Sequence, residues 1–569
     1  MSGNTVSLGD YLFTRFKQQD VLSIFGLPGD FNLSLLDHVY NVEGMKWVGN
    51  TNELNSGYAA DGYSRVKGLA ALITTFGVGE LSALAAVGGS YAEHVGMVHI
   101  VGVPSISAQQ EQLLLHHTLG NGDFAAFERM SANISHSVHH VTGVEDAAQS
   151  IDAAIQAAYI NQRPVYLTIP ANLSEIELCA KRLATPLDMS LPDNDSDAED
   201  EVIERVSKML QAAQKPILLV DACASRHSCI EETAELAKLV NFPVFLTPMG
   251  KGAFDEQNKR YGGVYVGSLS SPEVSEVVDN ADLVLSVGGL MSDFNTGSFS
   301  YGYTTKNIIE LHSDYTKIKS SSYAKVGMKQ LFPKLLKSLA PIAQDLMAKE
   351  FINVIPPKQV ATPVIPGSTI YQKWLWTRLG SFFRKGDIVV TETGTSAFGI
   401  VQTKFATGVT GISQVLWGSI GFSVGAAMGA VMASEELDLS RRVILFVGDG
   451  SLQLTVTEIS TMVRWGLKPY LFFLNNDGYT IERLIHGENA SYNDIHPWKN
   501  SRILDVFNAK EGEHEAIQVS TTDELDNLLS DPAFNKNDKI RSIEVFLPKM
   551  DAPENLVKQA QFSSSVNSA

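Results

Sequence analysis

Short apolar runs alternate with amphipathic stretches along most of the chain. The runs at 443–447 and 470–474 lack the alternation of a half-exposed strand, which is typical of strands buried on both faces. The run at 70–75 also fits a strand. The stretches between them have helical periodicity. The pattern predicts an α/β protein with mostly parallel sheets flanked by helices. Further strands are predicted at 21–25, 46–49, 98–101, 165–169, 217–220, 244–247, 283–286 and 308–310.

Two segments interrupt the alternation and divide the chain. Residues 183–200 are acidic and poor in apolar side chains, and residues 341–368 are rich in proline. Both compositions are typical of linkers. We therefore expect three α/β domains, at residues 1–182, 201–340 and 369–569, with a mobile end at FSSSVNSA. The middle domain has no G-x-G-x-x-G or P-loop pattern, so no dinucleotide is expected there.

Composition narrows the classes of partner and compartment. The 569 residues are 44% hydrophobic and 19% charged, and the net charge is −19. These values suit a soluble globular protein and argue against nucleic acid and anionic membranes as partners. Three cysteines without metal-type spacing indicate a reducing compartment. With no signal or transit pattern at the N-terminus, we expect a cytoplasmic protein.

The uncharged stretch 408–434 is the segment that tests the expectation of a soluble protein. It carries a glycine row, Gly421, Gly425 and Gly429, which is also a packing motif of membrane helices. Its second half is dominated by alanine and glycine, however, which is too weakly apolar for a span. We interpret it as a buried helix whose small face lets another backbone approach closely.

Polar residues follow two of the apolar runs. Strand 443–447 is followed by GDGS and strand 470–474 by NNDG. A helical connection makes the two strands parallel, and ligands bind at the carboxyl ends of such strands. Asp449, Asn476 and the carbonyl of Gly478 are oxygen ligands of the kind that Mg²⁺ takes together with phosphate and water. Amides after Gly450 would bind phosphate. The pattern predicts a magnesium diphosphate site, with two ordinary strand-to-helix turns as the alternative.

GDGS followed at this spacing by NNDGYTIE resembles the signature of thiamine diphosphate enzymes. Together with GLPGDFN, LLLHHTLGNGDF and WGSIGF, it resembles the 2-oxo acid decarboxylases of the yeast pyruvate decarboxylase type over nearly the whole chain. The resemblance implies the thiamine diphosphate-binding fold with a central Rossmann-like domain. It also implies thiamine diphosphate and Mg²⁺ as cofactors.

The implied reaction is the non-oxidative decarboxylation of pyruvate to acetaldehyde and carbon dioxide in alcoholic fermentation, with carboligation as a side activity. A broader decarboxylase of aromatic 2-oxo acids, such as phenylpyruvate or indolepyruvate, is the alternative. A synthase that joins two pyruvates and a non-catalytic relative are further alternatives. The resemblance also places each cofactor between the first domain of one chain and the third domain of another. It therefore implies a homodimer that assembles into a homotetramer.

The resemblance assigns cofactor-binding roles. Glu53 matches the glutamate that hydrogen-bonds the aminopyrimidine ring, and Ile420 matches the aliphatic residue that holds the cofactor bent. Gly418 matches the residue whose carbonyl accepts a hydrogen bond from the exocyclic amine of the aminopyrimidine ring. The implied set is Glu53, Thr395, Gly418, Ile420, Asp449, Gly450, Ser451, Asn476, Gly478 and Glu482, with Asp449, Asn476 and Gly478 holding the metal.

His116 and His117 match the family's histidine pair. With Asp30 and Glu482 they form an implied proton relay, because histidine donates and accepts protons near neutral pH. The sequence does not say which residue serves which step. Because neighbouring residues of a strand point to opposite faces, we do not expect the two histidines to share a metal.

Phe294, Phe398 and Ile481 match pocket-lining positions. Their bulk would leave room for a methyl-sized 2-oxo acid, although ordinary core packing is the alternative for all three. Cys223 matches a cysteine implicated in substrate activation, and His94 is a second candidate for that regulatory site. An inert buried cysteine is the alternative for Cys223.

Overall fold

The computed structural model describes residues 5–303, 307–349, 363–437 and 440–568. Each predicted strand is present, with bounds that differ by at most two residues. Much of the predicted linker 341–368 falls on residues 350–362, which lie outside the described residues. The other predicted linker, 183–200, ends inside a helix that begins at Ser196.

A six-stranded parallel sheet flanked by helices forms the first domain. The domain has eight strands, of which the first and last form a separate pair: β1 (Thr5–Ser7), β2 (Ser23–Gly26), β3 (Lys46–Trp47), β4 (Ala70–Thr75), β5 (Met97–Val103), β6 (Val138–His140), β7 (Pro164–Pro170) and β8 (Glu177–Cys179). Its helices are α1 (Leu8–Gln18), α2 (Leu33–Asp37), α3 (Glu53–Lys67), α4 (Val78–Ala92), α5 (Ile106–Gln110), α6 (Ala126–Ser131) and α7 (Val144–Asn161). The sheet order is β3-β2-β4-β5-β7-β6, and β1 pairs with β8. All residues of β4 and β5 are buried, which explains their unbroken apolar sequences.

The central domain has a mixed sheet. Its strands are β9 (Pro216–Val220), β10 (Val244–Leu246), β11 (Tyr261–Val264), β12 (Leu283–Val287), β13 (Ile308–Leu311), β14 (Tyr315–Ile318) and β15 (Ser321–Ala324). Its helices are α8 (Ser196–Ala212), α9 (Ala222–Arg226), α10 (Ile230–Val240), α11 (Pro272–Asp279), α12 (Asp293–Thr296), α13 (Met328–Leu339) and α14 (Ala343–Met347). The order is β11-β10-β9-β12-β13-β14-β15, and β14 pairs antiparallel with both β13 and β15.

The third domain repeats the sheet order of the first. Its strands are β16 (Ile388–Thr391), β17 (Thr410–Ile412), β18 (Val443–Gly448), β19 (Tyr470–Asn475), β20 (His514–Val519) and β21 (Ile540–Phe546), ordered β17-β16-β18-β19-β21-β20. Its helices are α15 (Gln372–Gly380), α16 (Thr395–Gly399), α17 (Phe422–Glu436), α18 (Asp449–Thr455), α19 (Glu458–Arg464), α20 (Thr480–Ile485), α21 (Ile503–Val506), α22 (Thr522–Ser530) and α23 (Glu554–Ser568). The end of the chain, predicted to be mobile, is therefore helical as far as Ser568.

Helices α3 and α17 join the first and third domains backbone to backbone. A Cβ on Gly429 would lie 1.8 Å from the carbonyl oxygen of Ala59, and one on Gly62 would lie 2.0 Å from that of Ala426. This confirms the prediction of a buried helix with a small face. Within the described ranges no helix is long and apolar enough to cross a membrane.

Candidate active site

A cavity of about 350 Å³ opens at the carboxyl ends of β16, β18 and β19. Ligands of parallel sheets bind at this edge. The central domain supplies the facing wall, which includes Pro248 and Asp293. The cavity brings together the predicted residues Phe294, Thr395, Phe398, Gly418, Ile420, Asp449, Gly450, Ser451, Asn476, Gly478, Ile481 and Glu482.

Three oxygen atoms converge on one side of this cavity. The amide oxygen of Asn476 lies 3.1 Å from the carbonyl oxygen of Gly478 and 3.1 Å from Asp449 Oδ1. The amide nitrogen of Asn476 faces Thr480 Oγ1 at 2.8 Å. Because that hydroxyl gives its one proton to the carbonyl of Lys549, it accepts a hydrogen bond from the amide nitrogen. The amide oxygen is thereby left facing acceptors only.

A cation resolves this arrangement of acceptors. Oxygens that lie about 2.1 Å from an octahedral Mg²⁺ are about 3 Å from one another, which matches the observed spacing. Burial raises the pKa of Asp449 to about 6, and a bound cation would favour its charged form. The donor set and its spacing therefore fit magnesium.

The turn after β18 is shaped for close approach to a ligand. Gly450 donates its amide to Asp449 Oδ1 at 2.9 Å, and a Cβ on Gly450 would lie 2.6 Å from the ring of Tyr479. Ser451 accepts from the amide of Gly421 at 3.0 Å, which ties the turn to the start of α17. Backbone amides at this turn and the hydroxyl of the buried Thr395 are donors of the kind that hold a diphosphate.

Aromatic and aliphatic side chains form the rest of the wall. Phe294 comes from α12, Phe398 from α16 and Ile481 from α20. The rings of Phe294 and Phe398 make an edge contact with centroids 5.9 Å apart. Three segments that are distant in sequence therefore build one apolar surface beside the oxygen cluster.

Sequence reasoning missed several lining residues, including Glu392, Gln414 and Asn555. Glu392 follows β16 directly, so the strand-end rule that found Asp449 could have found it. Burial raises the pKa of Glu392 to about 7. Asn555 comes from α23 and donates to the carbonyl of Phe398 at 3.0 Å; no local sequence pattern indicates this contact.

The predicted proton relay forms a second cluster, in the first domain. Asp30 lies 2.5 Å from His116 Nε2 and 4.0 Å from His117 Nε2. The ring of His116 stacks on Phe31, with centroids 5.0 Å apart. The premise that the histidines lie on opposite faces of a strand is wrong, because they lie in a turn and His117 has a left-handed φ of 66°; that they share no metal stays a prediction. Both rings therefore face one carboxylate.

Glu53 lies in the same region. It is the first residue of α3, and its Oε1 lies 3.1 Å from the position of a Cβ on Gly79. A Cβ on Gly77 would meet the carbonyl oxygen of His117 at 2.3 Å. The start of α4 therefore lies between Glu53 and the histidine turn. Burial raises the pKa of Glu53, which favours a carboxyl that keeps its proton.

The two clusters are not joined within one chain. Among the described residues, those that line the cavity come from 248–294 and 392–555, and none comes from the first domain. Asp30, Glu53, His116 and His117 therefore stand apart from the cavity that holds Glu482.

The structure brings the two regulatory candidates together in a buried cluster. Ligand atoms of Cys223, His94 and His227 lie within 4.8 Å of one another. Burial raises the pKa of Cys223 and lowers the pKa of His94. A neutral thiol is a poor nucleophile, which favours the alternative of an inert cysteine. Glu93, next to His94, accepts hydrogen bonds from the backbone amides of Leu416 and Trp417, which line the cavity, at 2.8 and 3.2 Å.

Comparison with known proteins covers the same three regions. Family models match at residues 6–127 (thiamine pyrophosphate enzyme, N-terminal TPP binding domain), 203–339 (central domain) and 392–545 (C-terminal TPP binding domain). The chain is 59% identical over 562 residues to a pyruvate decarboxylase of Kluyveromyces marxianus. It is 58% identical over 563 residues to pyruvate decarboxylase isozyme 1 of Saccharomyces cerevisiae. Each alignment covers 99% of both chains. The chain belongs to the family of thiamine pyrophosphate enzymes that includes these yeast pyruvate decarboxylases.

Proposed function

We propose that the protein decarboxylates pyruvate to acetaldehyde and carbon dioxide without oxidation, using thiamine diphosphate and Mg²⁺. The observation that carries the proposal is the cluster of three acceptors, Asp449, Asn476 and Gly478, beside an apolar wall in one cavity. The high identity to relatives named pyruvate decarboxylase supports the same reaction. We also propose a cytoplasmic location, from the cysteine content.

The third domain would hold the cofactor. Asp449, Asn476 and the carbonyl of Gly478 would bind the metal, and the turn at Gly450 and Ser451 would bind the diphosphate. Thiamine diphosphate, when bound, supplies the electron sink for decarboxylation. Residues of the chain orient the substrate, exclude water and move protons.

The apolar wall favours loss of carbon dioxide. A carboxylate is costly in an environment of low dielectric, and its charge disperses as carbon dioxide leaves. Phe294, Phe398 and Ile481 would provide that environment. Their bulk also limits the space beside the reacting carbon, which favours a methyl-sized 2-oxo acid.

Proton transfers would use the first-domain cluster and Glu482. Glu53, whose pKa is raised by burial, would share a proton with the aminopyrimidine ring. His116 and His117, which face Asp30, would carry protons to and from the substrate-derived group. Glu482 would complete the relay from the cavity side.

A second copy of the chain would unite the two clusters. Apolar side chains are exposed next to each cluster. Val78 (52% exposed) and Leu114 (79%) lie beside the first-domain cluster, and Leu416 (41%) and Trp417 (43%) lie beside the cavity. Exposed apolar patches of this kind are typical of interfaces. We therefore propose a homodimer, assembling into a tetramer, in which Glu53 of one chain and Asp449 of the other serve one site.

We propose that a second pyruvate acting near Cys223 or His94 raises activity through Glu93, without attack by the neutral Cys223 thiol. The test is the shape of the rate curve for a Cys223→Ser variant. Loss of a sigmoidal dependence supports the role, and a sigmoidal curve that persists removes it. Cys229→Ser is the control, because Cys229 is also buried and its thiol contacts the backbone carbonyl of His227, at 3.3 Å, and is not among the clustered ligand atoms.

The experiment that tests the function is acetaldehyde formation from pyruvate by the purified protein. Assays with and without thiamine diphosphate and Mg²⁺ are run beside assays with phenylpyruvate. We expect cofactor-dependent turnover that favours pyruvate. Preference for phenylpyruvate would support the aromatic alternative, and absence of turnover with cofactor bound would refute the proposal. Glu53→Gln should bind the cofactor and lose most activity.

A further inference from the structure

The central sheet has a crevice of the type that binds ligands in other α/β proteins. Its chain runs from β9 to β10 and β11 on one side and then crosses to β12 on the other. Open α/β sheets bind ligands at such a reversal, outside the carboxyl ends of the strands. Here the chain itself fills the crevice, since a Cβ on Gly288 would lie 2.3 Å from the amide nitrogen of Ala224.

A single carboxylate organises this filled crevice. Asp221 directly follows β9, and it is fully buried. Its Oδ1 accepts from the amide of Ala222 at 2.6 Å and from the hydroxyl of Thr247 at 2.5 Å. Its Oδ2 accepts from the amide of Leu290 and from Asn295 Nδ2, both at 2.8 Å. Four donors therefore satisfy the oxygens of one buried carboxyl group, as a buried polar group requires.

These donors lead straight to the active-site wall. Thr247 precedes Pro248, and Asn295 follows Phe294; both Pro248 and Phe294 line the cavity. Asn295 also accepts from the amide of Met249 at 3.0 Å, which ties the two loops together. Asp221 itself does not line the cavity, so any effect it has on the wall passes through these neighbours.

The loop that carries Phe294 needs such an anchor. Ser298 and Phe299 adopt left-handed φ values of 58° and 59°, which are costly for residues other than glycine. Strained conformations persist only where surrounding contacts fix them. The bonds from Asp221 to Leu290 and Asn295 hold the start of this loop, and Gln559 donates to Ser298 at 2.9 Å near its end.

We propose that Asp221 is a positioning residue that fixes the Phe294 wall and thereby sets selectivity for a small 2-oxo acid over an aromatic one. The inference rests on the proposed function. Loss of the carboxylate leaves the loop donors unpaired, so the loop shifts and the space beside Phe294 widens. The metal-binding and diphosphate-binding residues belong to the third domain, and among the described residues Asp221 forms its hydrogen bonds within the central domain.

The test compares kcat/KM for pyruvate with kcat/KM for phenylpyruvate in Asp221→Ala and Asn295→Ala. We expect the pyruvate preference to fall by about 10-fold in both, the scale on which apolar pockets discriminate size. Asn295→Ala removes the Asn295 bonds to Asp221, to the Leu290 carbonyl and to the Met249 amide, but leaves Asp221 its other three donors. It therefore tests the proposal if Asp221→Ala does not fold. The control is Asp282→Ala, which loses backbone bonds to Gln214 and Lys215 at the opposite end of β9 and should keep the preference.

Two further readouts separate positioning from general damage. In a Phe294→Ala background, Asn295→Ala should change the preference no further, because interacting residues are not additive; an equal additional loss would overturn the proposal. Hydrogen exchange of residues 288–300 should be faster in Asn295→Ala than in Asp282→Ala. Unchanged exchange overturns the inference whether or not pyruvate is the substrate, whereas absence of turnover in the unmodified protein refutes only the proposed function.

Discussion

Replacing Lys251 by methionine should strongly destabilise the contact between the central and third domains. The Lys251 side chain is 4% exposed, and its Nζ lies 2.7 and 2.8 Å from the two carboxylate oxygens of Glu256. The ammonium also donates to the carbonyl of Thr403 at 2.6 Å and lies 4.0 Å from the centre of the Phe405 ring. Thr403 and Phe405 connect α16, which lines the cavity, to β17.

The magnitude follows from what remains after the substitution. The carboxylate of Glu256 is fully buried and would keep only neutral donors, including the amide of Phe405 at 2.9 Å. Breaking a buried pair in this way costs about 3–5 kcal/mol. At about 2–4 °C per kcal/mol for a domain of this size, the unfolding temperature of Lys251→Met should fall by roughly 6–20 °C.

The assay is differential scanning calorimetry at one fixed scan rate, because large multidomain proteins often unfold irreversibly. Lys208→Met is the matched control: Lys208 pairs with Glu204 on the surface, where both side chains are more than 60% exposed, and such pairs contribute about 1 kcal/mol or less. Adding Glu256→Gln to Lys251→Met removes the unpaired charge and should restore at least half of the loss. A fall of less than about 2 °C in Lys251→Met would refute the reasoning.

Three further predictions concern other parts of the molecule. Burial raises the pKa of Glu80 from 4.5 to about 7, so the folded state holds this proton more tightly than the unfolded state and loses stability as the pH rises through that window. The unfolding temperature of Glu80→Gln minus that of the unmodified protein should therefore increase between about pH 5 and about pH 8. A difference that stays constant over this range contradicts the prediction. Gly429→Ala places a Cβ 1.8 Å from a carbonyl oxygen of α3 and should cost about 1–3 kcal/mol or more by calorimetry, whereas Gly143→Ala, with no atom within 4 Å, should cost far less. Asp449→Ala should lose magnesium-dependent retention of thiamine diphosphate in equilibrium dialysis. Asp477→Asn should keep it, because the carboxylate of Asp477 pairs with Lys549 at 2.8 Å.

The strand pattern and the strand ends were predictable because both are local. Burial on two faces requires unbroken apolar runs, and parallel strands place their polar ends at one edge. Asp449 and Asn476 could therefore be placed together from sequence. The connection between them was predicted to be helical, and it consists of two helices, α18 and α19. The break places Glu458 against the first domain, where it accepts from Asn50 at 2.6 Å.

Contacts between distant segments were not predictable in this way. The buried bonds of Asp221 and the contribution of Asn555 to the cavity depend on residues far apart in sequence. The turn at His117 was not predicted, because its left-handed φ occurs at a residue other than glycine, where the sequence carries no local signal of a turn. The third-domain candidates and Phe294 lie in one cavity, whereas the four relay candidates of the first domain lie in a separate cluster, and Cys223 lies with His94 in a third.

The most direct test of the central claim is complementation between two inactive variants. Glu53→Gln and Asp449→Ala chains, carrying different affinity tags, are co-expressed, and dimers with one chain of each kind are purified. If one site uses Glu53 of one chain and Asp449 of the other, each mixed dimer keeps one intact site and should decarboxylate pyruvate at about half the rate of the unmodified dimer. Activity no higher than that of either parent variant would contradict a site shared between two chains.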